Sequence, residues 1–309
     1  MRHPALAFFT LSGMTALTAM LWLAPLWRGF DVFRQLWPIW AVLALVALAL
    51  VWINRHHSAR WIMLAIALLI WLPGLGETAR RATDRRGPAT DGAVTLRVAT
   101  HNMWGGNRQP ALTVETLTGL DADILAIQES YGTASSAGLA LEQAYPHSAR
   151  CRSTRILSRY EIVESGCVTP VEPIDWAHAV PCDWEVPPAT WARIRLPDGD
   201  DAIAVSVHLT WPFPGAAQDC QRAGLARFLG RKPHDRMIVM GDFNAAAPSF
   251  ALVRLERDLG LRRRTIALPS FPSGARLEHR GWPRPPLGPM LLGIDHVFAG
   301  NAWQTVSVG

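Results

Sequence analysis

The sequence predicts a layered α/β domain preceded by three apolar helices. Three observations carry that prediction. Long uncharged runs crowd the first 76 residues, short β-like runs alternate with helical stretches after residue 93, and charge is scarce overall. Of the 309 residues, 50% are hydrophobic and only 18% are charged, against about a quarter charged in ordinary soluble domains.

The deficit is concentrated at the N-terminus. Twenty-four uncharged residues separate His3 from Arg28, 20 separate Arg34 from Arg55, and 16 separate Arg60 from Glu77. A helix rising about 1.5 Å per residue needs roughly 17–25 apolar residues to cross a bilayer. The first two runs suffice, and the third is short but carries tryptophans at its ends for the interfaces. The expectation is a membrane anchor over residues 1–76, with spans at about 5–27, 36–53 and 61–75. A cleaved signal peptide explains the first run poorly, because two more apolar runs follow it. Residues 77–93, charged and rich in Gly, Thr and Pro without apolar periodicity, read as a linker.

Beyond the linker the elements come in order. VTLRVATHN alternates apolar and polar residues. ALTVETLTGLDA reads as a helix leading into the apolar strand DILAIQES. RILSRYEIV and then TWARIRLPDGDDAIAVSVHL give further strands, the last two joined by a turn at Pro197-Asp198-Gly199-Asp200. AAQDCQRAGLARFLG is helical, with Leu225, Phe228 and Leu229 on one side and Gly230 as its stop. RMIVMGDFN is a buried strand, SFALVRLERDLG an amphipathic helix ended by Gly260, and GIDHVFAG a late strand. Runs this short and apolar imply sheets covered on one face by helices and on the other by a second sheet, over residues 94–309.

Charge and cysteine disagree about topology. With a cytoplasmic N-terminus, the inside loops hold Arg2, Arg55 and Arg60. The outside then holds Arg28, Arg34, Arg80, Arg81, Arg85 and Arg86, against the positive-inside tendency. The cysteines point the other way. Cys151, Cys167, Cys182 and Cys220 all lie outside the apolar runs and lack zinc-type spacing, which fits disulfides in an oxidising compartment with three pairings open. The segment CRSTRILSRYEIVESGC could be two ladder-paired strands or one strand and its return. The net charge of +5 suits an anionic partner (phosphate, nucleic acid or lipid headgroup), although Lys232 is the only lysine and arginine-rich composition explains much of the charge.

Polar residues stand at the strand ends: Asn102, Glu129, His208, then Asp242 and Asn244, and finally Asp295. Residues i and i+2 of an extended segment project the same way, so Asp242 and Asn244 can face one ligand, with Gly241 allowing close backbone approach. Oxygen donors with one imidazole and no sulfur suit Mg²⁺, Mn²⁺ or Ca²⁺. Mg²⁺ commonly takes one or two carboxylates, with water and phosphate completing its shell. Taken singly, an Asp-x-Asn is usually a turn and a strand-end His a core residue. Their joint appearance at separate strand ends favours phosphoester chemistry.

In their order, RVATHNMWGGN, DADILAIQES, RILSRYEIV, VSVHLTWP, MIVMGDFNAAAPS, SFPS and GIDHVFAG resemble the endonuclease/exonuclease/phosphatase superfamily, over residues 96–300. With three apolar helices ahead, the chain is similar to the teicoplanin-resistance-associated membrane branch. The resemblance implies a four-layer α/β/β/α sandwich of the DNase I-like kind. It also implies Mg²⁺ or Mn²⁺ at Glu129 with help from Asn102, and catalytic roles for His208, Asp242, Asn244 and Asp295. His208 would contact the phosphoryl oxygen, Asp242 would orient or activate water, and Asn244 would bind the phosphate, with Arg159 and Ser270 as weaker substrate contacts. His296 falls at a structural aromatic position. The branch implies a multi-pass protein of the bacterial inner membrane with an extracytoplasmic catalytic domain. The substrate would be a phosphate ester, possibly lipid-linked, with DNA or RNA as the runner-up; the basic cluster Leu261-Arg262-Arg263-Arg264 fits a nucleic-acid groove and an exposed helix end equally well. Family members close on a strand opening Ser-Asp-His, whereas this sequence ends NAWQTVSVG at Gly309. The expectation is a fragment, or a slow or inactive product, which keeps a non-catalytic phospholigand-binding envelope module open.

Overall fold

The structure is a computed structural model that describes residues 4–53, 57–84, 86–88, 91–171, 178, 180–213, 215–271 and 291–309. It divides into two compact units. One comprises residues 1–84, 246–253 and 266–293, and the other residues 85–245, 254–265 and 294–309. The segments 246–253 and 266–293 thus group with the helical N-terminus, whereas the sequence suggests a continuous second domain from residue 94.

In the first unit each apolar run forms a helix: α1 (Pro4–Leu23), α3 (Trp37–Ile53) and α4 (His57–Thr83), with the short α2 (Asp31–Gln35) between α1 and α3. Leu21, Ala44, Ala47, Val51, Met63, Ile66, Ala67 and Ile70 form its interior. Several of these are small, which lets the helix backbones approach closely. Large apolar side chains such as Phe9, Val42, Val46, Ile62 and Leu68 face outward instead.

The expected three spans are not all long enough. Among the described residues, Ser58–Thr83 alone is long and apolar enough to cross a membrane; Ala7–Leu23 of α1 adds a second only as a pair with Arg28–Gln35 bent by 120°. The 17-residue α3 reaches about 26 Å, short of the roughly 30 Å hydrocarbon layer. Helix α4 also runs through the first residues of the expected linker. Ala79, Arg80 and Arg81 are strong helix formers, and the two arginines sit favourably in its last turn. Beyond α4, Arg81 donates to Ala267 O at 3.1 Å, and the Ala267 N–H donates to Glu77 at 3.2 Å.

The second unit is built on two mixed sheets, the α/β architecture expected from the alternating pattern. The first has the order β1 (Val98–Asn102), β2 (Ile124–Gln128), β4 (Thr154–Ser158), β3 (His147–Cys151). The second runs β5 (Ile162–Cys167), β6 (Ala189–Arg195), β7 (Asp201–His208), β8 (Met237–Asp242), β10 (Asp295–Ala299), β9 (Arg262–Arg263). Ile124, Ala126 and Ile156 from the first sheet pack against Ala192, Ile194, Ala204, Ile238 and Met240 from the second.

The other face of the first sheet is covered by α5 (Pro110–Gly119) and α6 (Ser135–Ala144), through Leu117, Ala137 and Leu141 against Leu125, Ile127 and Leu157. On the second sheet, Phe228 of α8 (Gly215–Leu229) lies against Trp191 of β6. The short α7 (Pro181–Trp184) adjoins α8, and α9 (Phe250–Leu259) ends at Gly260 with φ 64°. The β6–β7 turn closes as predicted, with Gly199 at φ 88°.

Two local expectations change. The CRSTRILSRYEIVESGC segment pairs neither way, because β4 belongs to one sheet and β5 to the other. The basic Arg262-Arg263-Arg264 cluster is not an exposed helix end. It opens with edge strand β9, where Arg263 is 3% exposed and Arg264 donates to Gly300 O and Trp303 O. Pairing with β10 buries Arg263 and half-buries Arg264, while Arg262 stays exposed.

All four cysteines are paired. Cys151–Cys167 joins edge strand β3 to edge strand β5, and so links the two sheets, while Cys182–Cys220 joins α7 to α8. The first closes a loop of sequence separation 16. The double variant Cys151→Ser/Cys167→Ser is therefore expected to lose about 3 kcal/mol of stability, read by urea unfolding of the full chain in detergent.

Candidate active site

The site is the continuation of the core. Side chains of a strand alternate between faces, so the inward rows can be followed residue by residue. On β2 they are Ile124, Ala126 and Gln128; on β7, Ala202, Ala204, Ser206 and His208; on β8, Ile238, Met240 and Asp242. Val98 begins the row that ends at Asn102, and Val297 shares the row of Asp295. Each row is mainly apolar, with Thr100 and Ser206 as exceptions, and polar at its end. Registry then brings the ends together. Asn102 stands opposite Gln128 across β1 and β2, and Asp242 is flanked by His208 on one side and Asp295 on the other.

Glu129 follows the inward Gln128 and by alternation would face away. Its φ of 53° breaks the alternation and turns the carboxylate back towards the cleft. Asn244, at φ 45°, and Trp104, at φ 54°, share this left-handed backbone. Such conformations cost non-glycine residues about 1–3 kcal/mol and persist where surrounding contacts over-determine them.

Those contacts are present. Asn102 Nδ2 donates to Glu129 Oε1 at 2.9 Å and to Asp242 Oδ2 at 2.8 Å, bridging the two sheets. Its Oδ1 accepts the Trp104 N–H at 2.9 Å. Glu129 Oε2 accepts from the Gly105 N–H at 3.1 Å and the Tyr131 hydroxyl at 3.2 Å. Asp242 Oδ1 accepts the Asn244 N–H at 2.8 Å, and Asn244 Nδ2 donates to Leu209 O at 2.8 Å. From α8, Gln218 Nε2 donates to the carbonyls of Phe243 and Asn244. Beneath the cleft, buried Gln128 Nε2 donates to Ser206 Oγ at 3.0 Å, a second polar tie between the sheets. Gly241, at φ 151°, presses against β7 so closely that a Cβ there would overlap the Val207 carbonyl.

Electrostatics follow from this packing. Burial alone would raise the Glu129 pKa, but hydrogen bonds from Asn102, Gly105 and Tyr131, together with His208 nearby, hold it below the ordinary glutamate value. Burial pushes His208 below the ordinary histidine value, against the opposing pull of Glu129 and Asp295. His208 Nε2 lies 3.8 Å from Glu129 Oε1 and 3.9 Å from Asp242 Oδ2, near both carboxylates and hydrogen-bonded to neither. At neutral pH the cleft holds an ionised glutamate beside a neutral imidazole.

Asn102, Glu129, His208, Asp242, Asn244 and Asp295 are thus brought to one end of the sandwich. Arg159 is not. Strand β4 runs antiparallel to β2 with Ser158 opposite Ile124, so Arg159 falls at the start of β2, about 16 Å of strand from Glu129. There it pairs with Asp121 and, at 3.9 Å, with Asp123. Ser270 belongs to the first unit, where its N–H donates to Leu292 O at 2.8 Å. His296 is a core residue: 1% exposed, Nε2 2.9 Å from Ala245 O and Nδ1 3.2 Å from Thr265 Oγ1. The sequence reading missed Gly105 and Tyr131, whose signals were the Trp-Gly-Gly after Asn102 and the Ser-Tyr-Gly after Glu129. In the segment EPIDWAHAVPCDWEVPPAT, whose tryptophans and prolines suit a loop lining a substrate cleft, positions 172–177 and 179 lie outside the described residues.

Among the described residues no three His, Cys, Asp or Glu side chains form a ready-made cation cage. The donors nevertheless fit a hard divalent ion, because Glu129 and Asp242 present carboxylate oxygens on either side of one amide. Mg²⁺ characteristically takes one or two carboxylates and leaves the rest of its shell to water and substrate.

Fold and site define a two-sheet α/β protein with an oxygen-rich acidic cleft at one end of the sandwich. Residues 99–309 match the Endonuclease/Exonuclease/phosphatase family, and the chain belongs to it. Among solved structures it is similar to an endonuclease/exonuclease/phosphatase from Bacteroides vulgatus, with 18% identity over 67% of this chain and 88% of that one, at a TM-score of 0.49. It is also similar to a mannosyl-6-phosphatase of Bacteroides thetaiotaomicron, with 18% identity, 68% and 87% coverage, and a TM-score of 0.49. A Staphylococcus aureus beta toxin variant with bound magnesium ions matches at 14% identity, 69% and 86% coverage, and a TM-score of 0.49. No curated protein matches.

Replacing Asn102 with Ala leaves the buried Asp242 and half-buried Glu129 carboxylates without their shared donor. A loss of about 1–3 kcal/mol is expected at pH 7. Because Glu129 is held low in the folded state, the stabilisation that Asn102 gives it is full above the unfolded carboxylate pKa, about 4.3. It fades as pH falls through the lower folded value. The wild-type advantage over Asn102→Ala should therefore shrink in acid, measured by denaturant titration across pH.

Proposed function

We propose that the chain is a membrane-anchored, divalent-metal-dependent phosphoester hydrolase. The observation that supports this best is the convergence of Asn102, Glu129, His208, Asp242 and Asp295 where the inward rows of two sheets end. Glu129 would hold the cation, with Asn102 fixing its carboxylate. When bound, the metal neutralises charge on a phosphoryl group. Asp242, 4% exposed and held by the Asn102 amide and the Asn244 N–H, is rigid enough to orient a water and take its proton. Neutral His208 can donate an N–H to a phosphoryl oxygen. Asn244 would meet the phosphate beside Asp242, and Asp295 would hold the imidazole's orientation.

Anchoring rests on two features. The outward face of α1, α3 and α4 carries large apolar side chains that a water-facing bundle would bury. The second is Ser58–Thr83, which is long and apolar enough to cross a bilayer. The two disulfides favour an oxidising, extracytoplasmic side, in keeping with the teicoplanin-resistance-associated membrane branch. The charge count that opposes this is weakened, since Arg34 and Arg81 are engaged in protein contacts.

A tethered domain favours a lipid-linked phosphate over DNA or RNA, and the one basic cluster is folded into an edge strand rather than a groove. The full chain in detergent with Mg²⁺ should hydrolyse bis-p-nitrophenyl phosphate and lose that activity to EDTA. Asp242→Ala should lower kcat by about 10²–10⁴. Parallel assays on lipid pyrophosphates and duplex DNA should favour the lipid; preference for DNA would make it a nuclease. Binding without turnover on any of the three would make it a phospholigand module.

A further inference from the structure

Segment 246–253 begins two residues beyond Asn244, groups with the N-terminal unit, and is hydrogen-bonded by the short helix between α1 and α3. The first two amides of α9 have no partner within their own helix. Asp31 supplies one: Oδ1 accepts the Phe250 N–H and Oδ2 the Ala251 N–H, each at 2.8 Å. Gln35 Oε1 accepts the Ala246 N–H at 3.1 Å, and Arg34 Nε donates to Pro248 O at 2.6 Å. The Arg34 guanidinium also lies over the Phe250 ring, 4.2 Å from its centroid.

Asp31 and Gln35 are 4% and 5% exposed. A carboxylate and an amide are thus withdrawn from water with their acceptor oxygens committed to backbone N–H groups of one loop. Burying such groups is unfavourable unless the partners are well placed, so the arrangement fixes the loop in one conformation. A tether that served only to hold a domain near a bilayer would not need it.

We infer that Asp31, Arg34 and Gln35 are positioning residues. They fix the backbone of the segment that follows Asp242 and Asn244 in the chain. The inference rests on the hydrolase reading. It does not require these side chains to touch substrate.

The test uses the full chain in detergent with Mg²⁺ and bis-p-nitrophenyl phosphate, alongside amide hydrogen exchange. In Asp31→Ala, exchange at Phe250 and Ala251 should accelerate about tenfold or more while the β7 and β8 amides stay protected. The kcat should fall roughly ten- to a hundredfold with KM little changed, as for a misplacement remote from the chemistry. Asp31→Asn, which keeps one acceptor oxygen, should lie between. Gln35→Ala, which removes the acceptor of Ala246 N–H alone, carries the same test if Asp31→Ala does not fold. Faster exchange with unchanged kcat, or unchanged exchange, in an active wild-type background overturns the positioning role. A wild-type protein that does not hydrolyse the ester overturns the hydrolase reading instead.

Discussion

Two carboxylates can face one cleft at short range only if something between them donates hydrogen bonds or carries positive charge. In the second unit that partner is a single primary amide. Asn102, at the end of a strand in the first sheet, reaches Glu129 in its own sheet and Asp242 in the other. The same contact therefore closes the open end of the sandwich and keeps both acids available to a cation. The left-handed backbone at Glu129 and Asn244 is sustained by these bonds, and the depressed pKa of Glu129 follows from them. Remove the amide, and repulsion, strain and protonation all act against the site at once.

Much of this was legible in the sequence because it is written in alternation. The row leading to Asp242 is apolar at every second position, and the one leading to His208 is so except at Ser206, so their polar last members had to emerge at strand ends. What alternation cannot give is strand direction. Arg159 follows an apolar strand as Asp242 does, yet β4 runs antiparallel to β2 and delivers it to the opposite edge. Nor can it show sheet membership, which is why the segment between Cys151 and Cys167 was open to two readings and fits neither. Glu129 was found for a reason that proved incomplete: its polar type marked it, but a backbone conformation invisible in the sequence aims it.

The apolar N-terminal region taught a related lesson. Composition located all three helices, but chain breaks and helix lengths decide how far each can reach, and α3 stops at 17 residues. Composition also drew a linker where Ala79, Arg80 and Arg81 extend α4 by another turn or more. Segments 246–253 and 266–271 carry no mark of belonging with the helices. Their membership comes from a few polar contacts separated by about two hundred residues of sequence, the kind of pairing that local pattern does not record.

Because the functional groups prolong the hydrophobic rows, folding and chemistry share one register. Slipping β8 by a single position would turn Met240 outward and carry Asp242 with it. No population should exist whose interior is sealed yet whose reactive groups are misaimed. New specificities can be sought by redrawing the loops around the rim, while the strands leave selection almost no room to separate a sound interior from a competent one.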